Sequence, residues 1–353
     1  MELLHGGDWA GYESTYGKKP LDFSANVSPL GLPEAARQAA VAALAEAGRY
    51  PDPLCRKLRE ALAARHGVPA ERIVCGNGAS DLIYRLPLAL KPKNALVLAP
   101  GFAEYERALS ARGCRVRRHM LSAERDFAPG EDLLQALTPE LDLLFLCQPN
   151  NPTGRLLERG LLEAVWERCQ NQSTVLVLDE CFLDFLENAQ AYSLAGHLNQ
   201  GRGLVILRAF TKSCAMAGLR LGYALCADPE AAEKLALCGP PWSVSLPAQA
   251  AGLAALADEE YAVRLRKLMA EERPRLLLGL STLGLRVIPG EANFLLFFCP
   301  DAALGEKLRA RGILIRNCAN FPGLGKGWYR TAVRTGPENQ RLLNAMGEVL
   351  TSG

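Results

Sequence analysis

The sequence predicts an α/β fold: a mostly parallel sheet sandwiched by helices, with a second, smaller α+β domain built from both ends of the chain. Three observations carry this. Through the middle of the chain, short apolar runs alternate with longer amphipathic ones. The short runs are continuously apolar, the pattern of strands covered on both faces. Toward both ends that rhythm stops, and Ala-rich, Pro-punctuated stretches take over.

The strand candidates are 73–75, 95–99, 143–147, 174–179, 204–208 and 223–226. Helical periodicity falls between them at 80–90, 103–112 and 157–170, and again after the last strand at 229–237. A strand followed by a helix, repeated, predicts a parallel sheet. Ahead of this core lie a polar start, an Asn-Val-Ser-Pro-Leu-Gly turn and an Ala-rich helix at 33–47. After Pro240-Pro241 come helices at 247–257 and 259–283, strands at 286–288, 294–298 and 313–316, and a last helix from about 337. The chain therefore divides into a large domain over 46–240 and a small one from 1–45 with 241–353.

At 353 residues and 49% hydrophobic, the chain can bury a core of that size. A net charge of +2 argues against a general nucleic-acid binder, and the cluster Arg115, Arg117, Arg118 reads as a solvated strand edge. The 11 cysteines form no Cys-x-x-Cys pair, which fits reduced, buried thiols better than a disulfide framework or a zinc site. No basic-then-apolar leader opens the chain, and no apolar run approaches the ~20 residues of a membrane span. The expectation is a cytoplasmic protein without metal, membrane or nucleic-acid partners.

In open parallel sheets, ligands bind beyond the carboxyl ends of the strands, and the unusual residues sit there. Gly76-Asn77-Gly78-Ala79-Ser80 follows a strand and opens a helix, so Gly78, Ala79 and Ser80 offer amides to an anion, joined by the Thr211 hydroxyl and the Arg220 cation. Asp179 ends a strand and suits a protonated ring nitrogen. Lys212 suits an aldehyde. Tyr105, with Phe102 as the alternative, offers a ring to stack on. These are the needs of pyridoxal 5'-phosphate (PLP), a phosphorylated pyridine aldehyde.

At these residues the chain resembles the fold-type-I PLP-dependent aminotransferases. Thr211-Lys212 with Gly218-Leu219-Arg220-Leu221-Gly222-Tyr223 resembles their lysine motif, and Asn151-Pro152-Thr153-Gly154 and Asp179-Glu180 their other two signatures, in the same order and spacing. The resemblance covers nearly the whole chain. It implies that Lys212 carries PLP as a Schiff base, that Asp179 partners the pyridine nitrogen, and that Asn151 donates to the phenolic oxygen. It also implies a homodimer in which Tyr50, in Arg49-Tyr50-Pro51-Asp52, reaches the neighbouring subunit's phosphate site.

Within that superfamily the chain looks most like the threonine-phosphate decarboxylases of cobalamin biosynthesis, relatives of the histidinol-phosphate aminotransferases. The opening His5-Gly6-Gly7, Asp22-Phe23-Ser24-Ala25-Asn26, Pro29-Leu30-Gly31, the segment from Pro100 to Tyr105 and that from Ile315 to Phe321 carry this likeness. So does Phe182, where aminotransferases usually place a tyrosine. The resemblance implies that Arg330 grips the α-carboxylate and Arg316 the substrate phosphate, with Arg334, His5 and Asn26 as helpers. Arg suits both anions because its planar fork binds them bidentately. The expected reaction is decarboxylation of L-threonine O-3-phosphate. The alternatives are a histidinol-phosphate or related aminotransferase, a serine-phosphate decarboxylase, and a PLP-binding regulator, which would carry a helix-turn-helix domain for which the chain shows no room.

Overall fold

The computed structural model describes residues 5–351. Its strands are, in chain order, β1 (Leu21–Asp22), β2 (Ile73–Gly76), β3 (Asn94–Ala99), β4 (Arg115–Met120), β5 (Leu143–Cys147), β6 (Val175–Asp179), β7 (Leu204–Ala209), β8 (Gly222–Cys226), β9 (Arg286–Val287), β10 (Phe294–Phe298), β11 (Ile313–Leu314), β12 (Arg316–Asn317) and β13 (Trp328–Ala332). Seven of them form the main sheet, in the order β2-β8-β7-β6-β5-β3-β4. Alternate residues of its central strands part into two apolar layers. Phe145, Val177 and Val205 lie in one; Leu144, Leu178 and Ile206 lie in the other. Period-two alternation of side chains about a pleated strand produces this, and both layers are dry because helices cover both faces.

β4, β3, β5, β6 and β7 run parallel, whereas β8 is antiparallel to β7 and β2. A parallel return needs a crossover of a dozen residues or more, usually helical. The connection from β7 to β8, residues 210–221, holds only the four-residue helix Phe210–Ser213 and no crossover helix, and β8 runs back against β7. β4 is the edge strand. Arg115, Arg117 and Arg118 lie exposed on it, and Arg118 pairs with Glu106 at 2.7 Å.

The second sheet is antiparallel, in the order β12-β13-β10-β9. The strand expected at 313–316 is broken at Ile315: β11 pairs in parallel with β1, and β12 pairs with β13. β13 and the helix Trp9–Tyr16 were not legible in the sequence.

The boundaries at 45/46 and 240/241 do not separate the packing. The helix Glu34–Ala43 lies on the helix Leu246–Ala257. A Cβ on Gly252 would fall 2.4 Å from Leu221 and 3.3 Å from Leu58, so both helices belong to the layer over the main sheet. The second sheet meets the main one at glycine. A Cβ on Gly154 would lie 3.0 Å from the Gly290 Cα, and the Glu291 amide donates to the Gly154 carbonyl at 2.7 Å. The cysteines are free, nine of them buried. Among the described residues no helix is long and apolar enough to cross a membrane.

Gly222 starts β8 directly beneath the helix that follows β2. A Cβ there would lie 2.4 Å from the Ala79 nitrogen and 2.7 Å from the Gly78 carbonyl carbon, both rigid backbone. Gly222→Ala is expected to lower stability by about 1–3 kcal/mol, as overpacking does. Urea denaturation, with its midpoint falling at unchanged slope, checks this.

Candidate active site

Three strands deliver the site at their carboxyl ends. β2 ends at Gly76, and Gly78 turns the chain into the helix Ala79–Leu90 with φ +78°, a region other residues rarely adopt. The first amides of a helix have no partner within it, so Ala79 and Ser80 present N–H groups there. Gly78 is also required by its neighbour, since a Cβ would meet the Arg220 guanidinium at 2.6 Å. Helix N-terminus and cation thus face the same point, an arrangement suited to phosphate. Thr211 is buried in the turn that carries Lys212.

Asp179 ends β6 and is buried. Its Oδ1 accepts from the Cys181 amide at 2.9 Å and its Oδ2 from the Tyr105 hydroxyl at 2.6 Å. Among the described residues no cation pairs with it within 4.0 Å. A buried carboxylate met only by neutral donors is costly, and the positive N–H of a pyridinium would offset that cost. Lys212 follows the adjacent strand β7, with Nζ 5.8 Å from the centroid of the Phe182 ring. Burial, aided by the Arg330 and Arg220 charges, pushes its ammonium below the usual lysine range. More of it is therefore the neutral amine that attacks an aldehyde.

Tyr105 is not free to serve as the stacking platform expected of it. Its ring lies flat on Phe145, centroids 4.6 Å apart at 10°, and its hydroxyl is held by Asp179. Phe102 meets it edge-on at 5.4 Å and is only half-buried, so Phe102 is the ring left for stacking. Phe182 is buried edge-on against Phe294 and brings no hydroxyl.

Arg330 on β13 and Arg316 on β12 are directly opposite across the ladder, hence on one face. Both are buried, and burial lowers both from the usual arginine range, Arg330 to about 10. Arg330 donates to Asn151 Oδ1 and, at 3.1 Å, to the Ser24 carbonyl; its Nε has no protein partner. Arg316 donates to the Asn317 carbonyl at 2.7 Å and Asn320 Oδ1 at 2.9 Å. Two buried guanidiniums on one face of the sheet place charge-assisted donors close together, a chemistry suited to anions. Asn26 stands buried nearby in sequence to Ser24, with Oδ1 unpartnered.

Arg334 does not join them. β13 stops at Ala332, and Arg334 is held by Glu338 at 2.7 Å and the Asp22 carbonyl at 3.2 Å, a brace between the chain ends. His5 pairs with Glu104 at 2.8 Å and tilts toward Phe102, centroids 5.7 Å apart. Tyr50 is 75% exposed and stacks on Trp242 at 4.4 Å, so within one chain it faces away from the site.

The model of the family "Aminotransferase class I and II" matches residues 18–346. This chain belongs to that family. It is 42% identical to the threonine-phosphate decarboxylase of Salmonella typhimurium, over 98% of this chain and 96% of that one. It is 31% identical, over 98% of its length and 41% of the other, to the adenosylcobalamin biosynthesis bifunctional protein CobDQ of Leptospira interrogans. Among solved structures, the histidinol-phosphate aminotransferase of Sinorhizobium meliloti, in complex with pyridoxal-5'-phosphate, superposes with a TM-score of 0.87 at 25% identity, covering 99% of this chain and 96% of that one.

This aminotransferase-family chain also carries a charged network behind the lysine that the sequence alone did not bring out. Glu180, fully buried, takes Arg208 at 2.5 Å, the Ser193 hydroxyl at 3.0 Å and the Leu194 amide at 3.2 Å. Arg208 also pairs with Asp184 at 2.9 Å, and Asp184 accepts from Ser213 at 3.1 Å, one residue past Lys212. Its signal was present: Arg208 interrupts an otherwise apolar strand, and such a residue needs a buried partner. Arg208→Leu would strand the Glu180 charge, and is expected to cost about 3–5 kcal/mol. Thermal unfolding of the variant beside Arg208→Leu/Glu180→Leu checks this, with the double variant recovering most of the loss.

Proposed function

We propose that this protein uses PLP to decarboxylate L-threonine O-3-phosphate, giving (R)-1-amino-2-propanol O-2-phosphate and CO2 for cobalamin assembly. The observation that carries the reading is the pair of buried arginines opposite one another, a site for two anionic groups on one substrate. The Salmonella relative and the Leptospira protein support substrate and pathway. Phe182, with no hydroxyl to offer, supports the decarboxylase over the aminotransferase.

The Gly78–Ser80 amides, Arg220 and Thr211 would hold the cofactor's phosphate. Lys212 would hold its aldehyde carbon, Phe102 would cover its ring, and Asn151 and Asp179 would meet its phenolic oxygen and ring nitrogen. When bound, PLP supplies an electron-withdrawing ring that takes up the electrons of the broken bond. Arg330 would hold the substrate carboxylate until it leaves as neutral CO2. Arg316 holds the substrate phosphate, with Asn26 and His5 beside it. Lys212 or a water then returns a proton to Cα. The working form is a cytoplasmic homodimer, in which the exposed, stacked Tyr50 reaches the partner's phosphate site.

Borohydride reduction should fix PLP to Lys212. Threonine phosphate should then release CO2 without 2-oxoglutarate. Glutamate formed stoichiometrically from 2-oxoglutarate with histidinol phosphate would replace this reading with the aminotransferase one.

The two arginines should separate by substrate. Arg316→Ala should raise KM for threonine phosphate roughly a hundredfold, the scale of removing one partner of a buried charge pair, and matter far less for unphosphorylated threonine. Arg330→Ala should harm both alike. Equal loss on both substrates for Arg316→Ala would mark it as structural.

A further inference from the structure

Tyr105 does something other than stack. It is the third residue of the helix Ala103–Ser110 and is buried, with its ring clamped between Phe145 and the edge contact to Phe102. A phenylalanine would fill that slot equally well. The hydroxyl is what sets a tyrosine apart, and it goes to Asp179 at 2.6 Å. Two thiols, Cys147 and Cys181, face the same carboxylate, and burial pushes both far toward the neutral form. Lys212 approaches from β7 but makes no ion pair with Asp179 among the described residues. The carboxylate is therefore fixed by two donors, the Cys181 amide on Oδ1 and Tyr105 on Oδ2, each leaving an acceptor position open.

We propose that Tyr105 is a positioning residue for Asp179: its hydroxyl aims the carboxylate at the cofactor's ring nitrogen and keeps the shared proton on that nitrogen. This rests on the reading of the site as a PLP site. An O–H donated to a carboxylate is charge-assisted and stabilises the ionised form over the acid. In a carboxylate···H–N pair, stabilising the carboxylate leaves the proton on nitrogen. Burial also pushes the Tyr105 phenol up, Asp179 adding to the effect, so it stays a donor at any working pH. The Cys181 amide alone could satisfy Oδ1 but leaves Oδ2 free to take the proton, which the Tyr105 hydroxyl opposes.

The test uses the holoenzyme loaded with PLP labelled with 15N at the ring nitrogen. The variants are Tyr105→Phe, Asp179→Asn and both together, with thermal melting of each apoprotein as the folding control. In the parent protein the ring nitrogen should resonate as a protonated pyridine. Tyr105→Phe should move that resonance toward the unprotonated position, raise the Kd for PLP about tenfold, and lower kcat with little change in KM. In the Asp179→Asn background the same substitution should change PLP affinity less than twofold, since the cycle isolates the pair. A resonance and affinity unchanged by Tyr105→Phe would overturn the proposal. So would an equal loss of affinity in both backgrounds, which would make Tyr105 a packing residue. A parent protein that takes up no PLP would instead overturn the functional reading on which the proposal rests.

Discussion

The carboxylate of Asp179 stands buried at the end of β6 with no ion pair within 4.0 Å among the described residues, and the site is arranged around it. The parallel sheet brings its strand ends to one edge, so that Asp179, the lysine after β7 and the helix after β2 converge without the chain having to thread between them. The amide of Cys181 and the hydroxyl of Tyr105 satisfy the oxygens, but as neutral donors they leave the charge in place. A low-dielectric interior magnifies whatever charge remains. The site is thereby biased toward a ligand that is positive at its ring and negative at its periphery.

Two charged groupings in the same region are resolved in opposite ways. Arg208 is met by two carboxylates, Glu180 and Asp184, and hydroxyls of Ser193 and Ser213 donate to them, so opposite charges face each other within the protein. Arg316 and Arg330 are instead set side by side, like charge on like, and burial disfavours both. The first grouping fixes the turn that carries Lys212. The second keeps two guanidiniums on one face of the antiparallel sheet, where they offer charge-assisted donors.

The central strands were legible because a short, continuously apolar run flanked by amphipathic helices is the mark of a strand buried on both faces. The three signatures were legible because each combines residues that serve no packing purpose. β13 was not, since Trp-Tyr-Arg-Thr-Ala has neither alternation nor an apolar run, and becomes a strand only because β10 and β12 bond to it on both sides. The antiparallel course of β8 goes with a connection that lacks a crossover helix, not with the composition of β8 itself. Tyr105 read as a stacking ring because its hydroxyl partner lies 74 residues away, a distance that spacing rules cannot bridge. Arg334, which the resemblance implied as a helper at the substrate, lies beyond the end of β13, and Glu338 takes it.

Gly154 and Gly290 meet backbone to backbone, and a Cβ on either would lie only 2.9–3.0 Å from the other's Cα. Side chains elsewhere in such a seam can change rotamer and absorb displacement; two bare backbones cannot. The spacing between the loop that carries Asn151 and the sheet that carries Arg330 is therefore fixed by the absence of two methyl groups: an alanine at either glycine would press the two segments apart, and with them the hydrogen bond from Arg330 to Asn151.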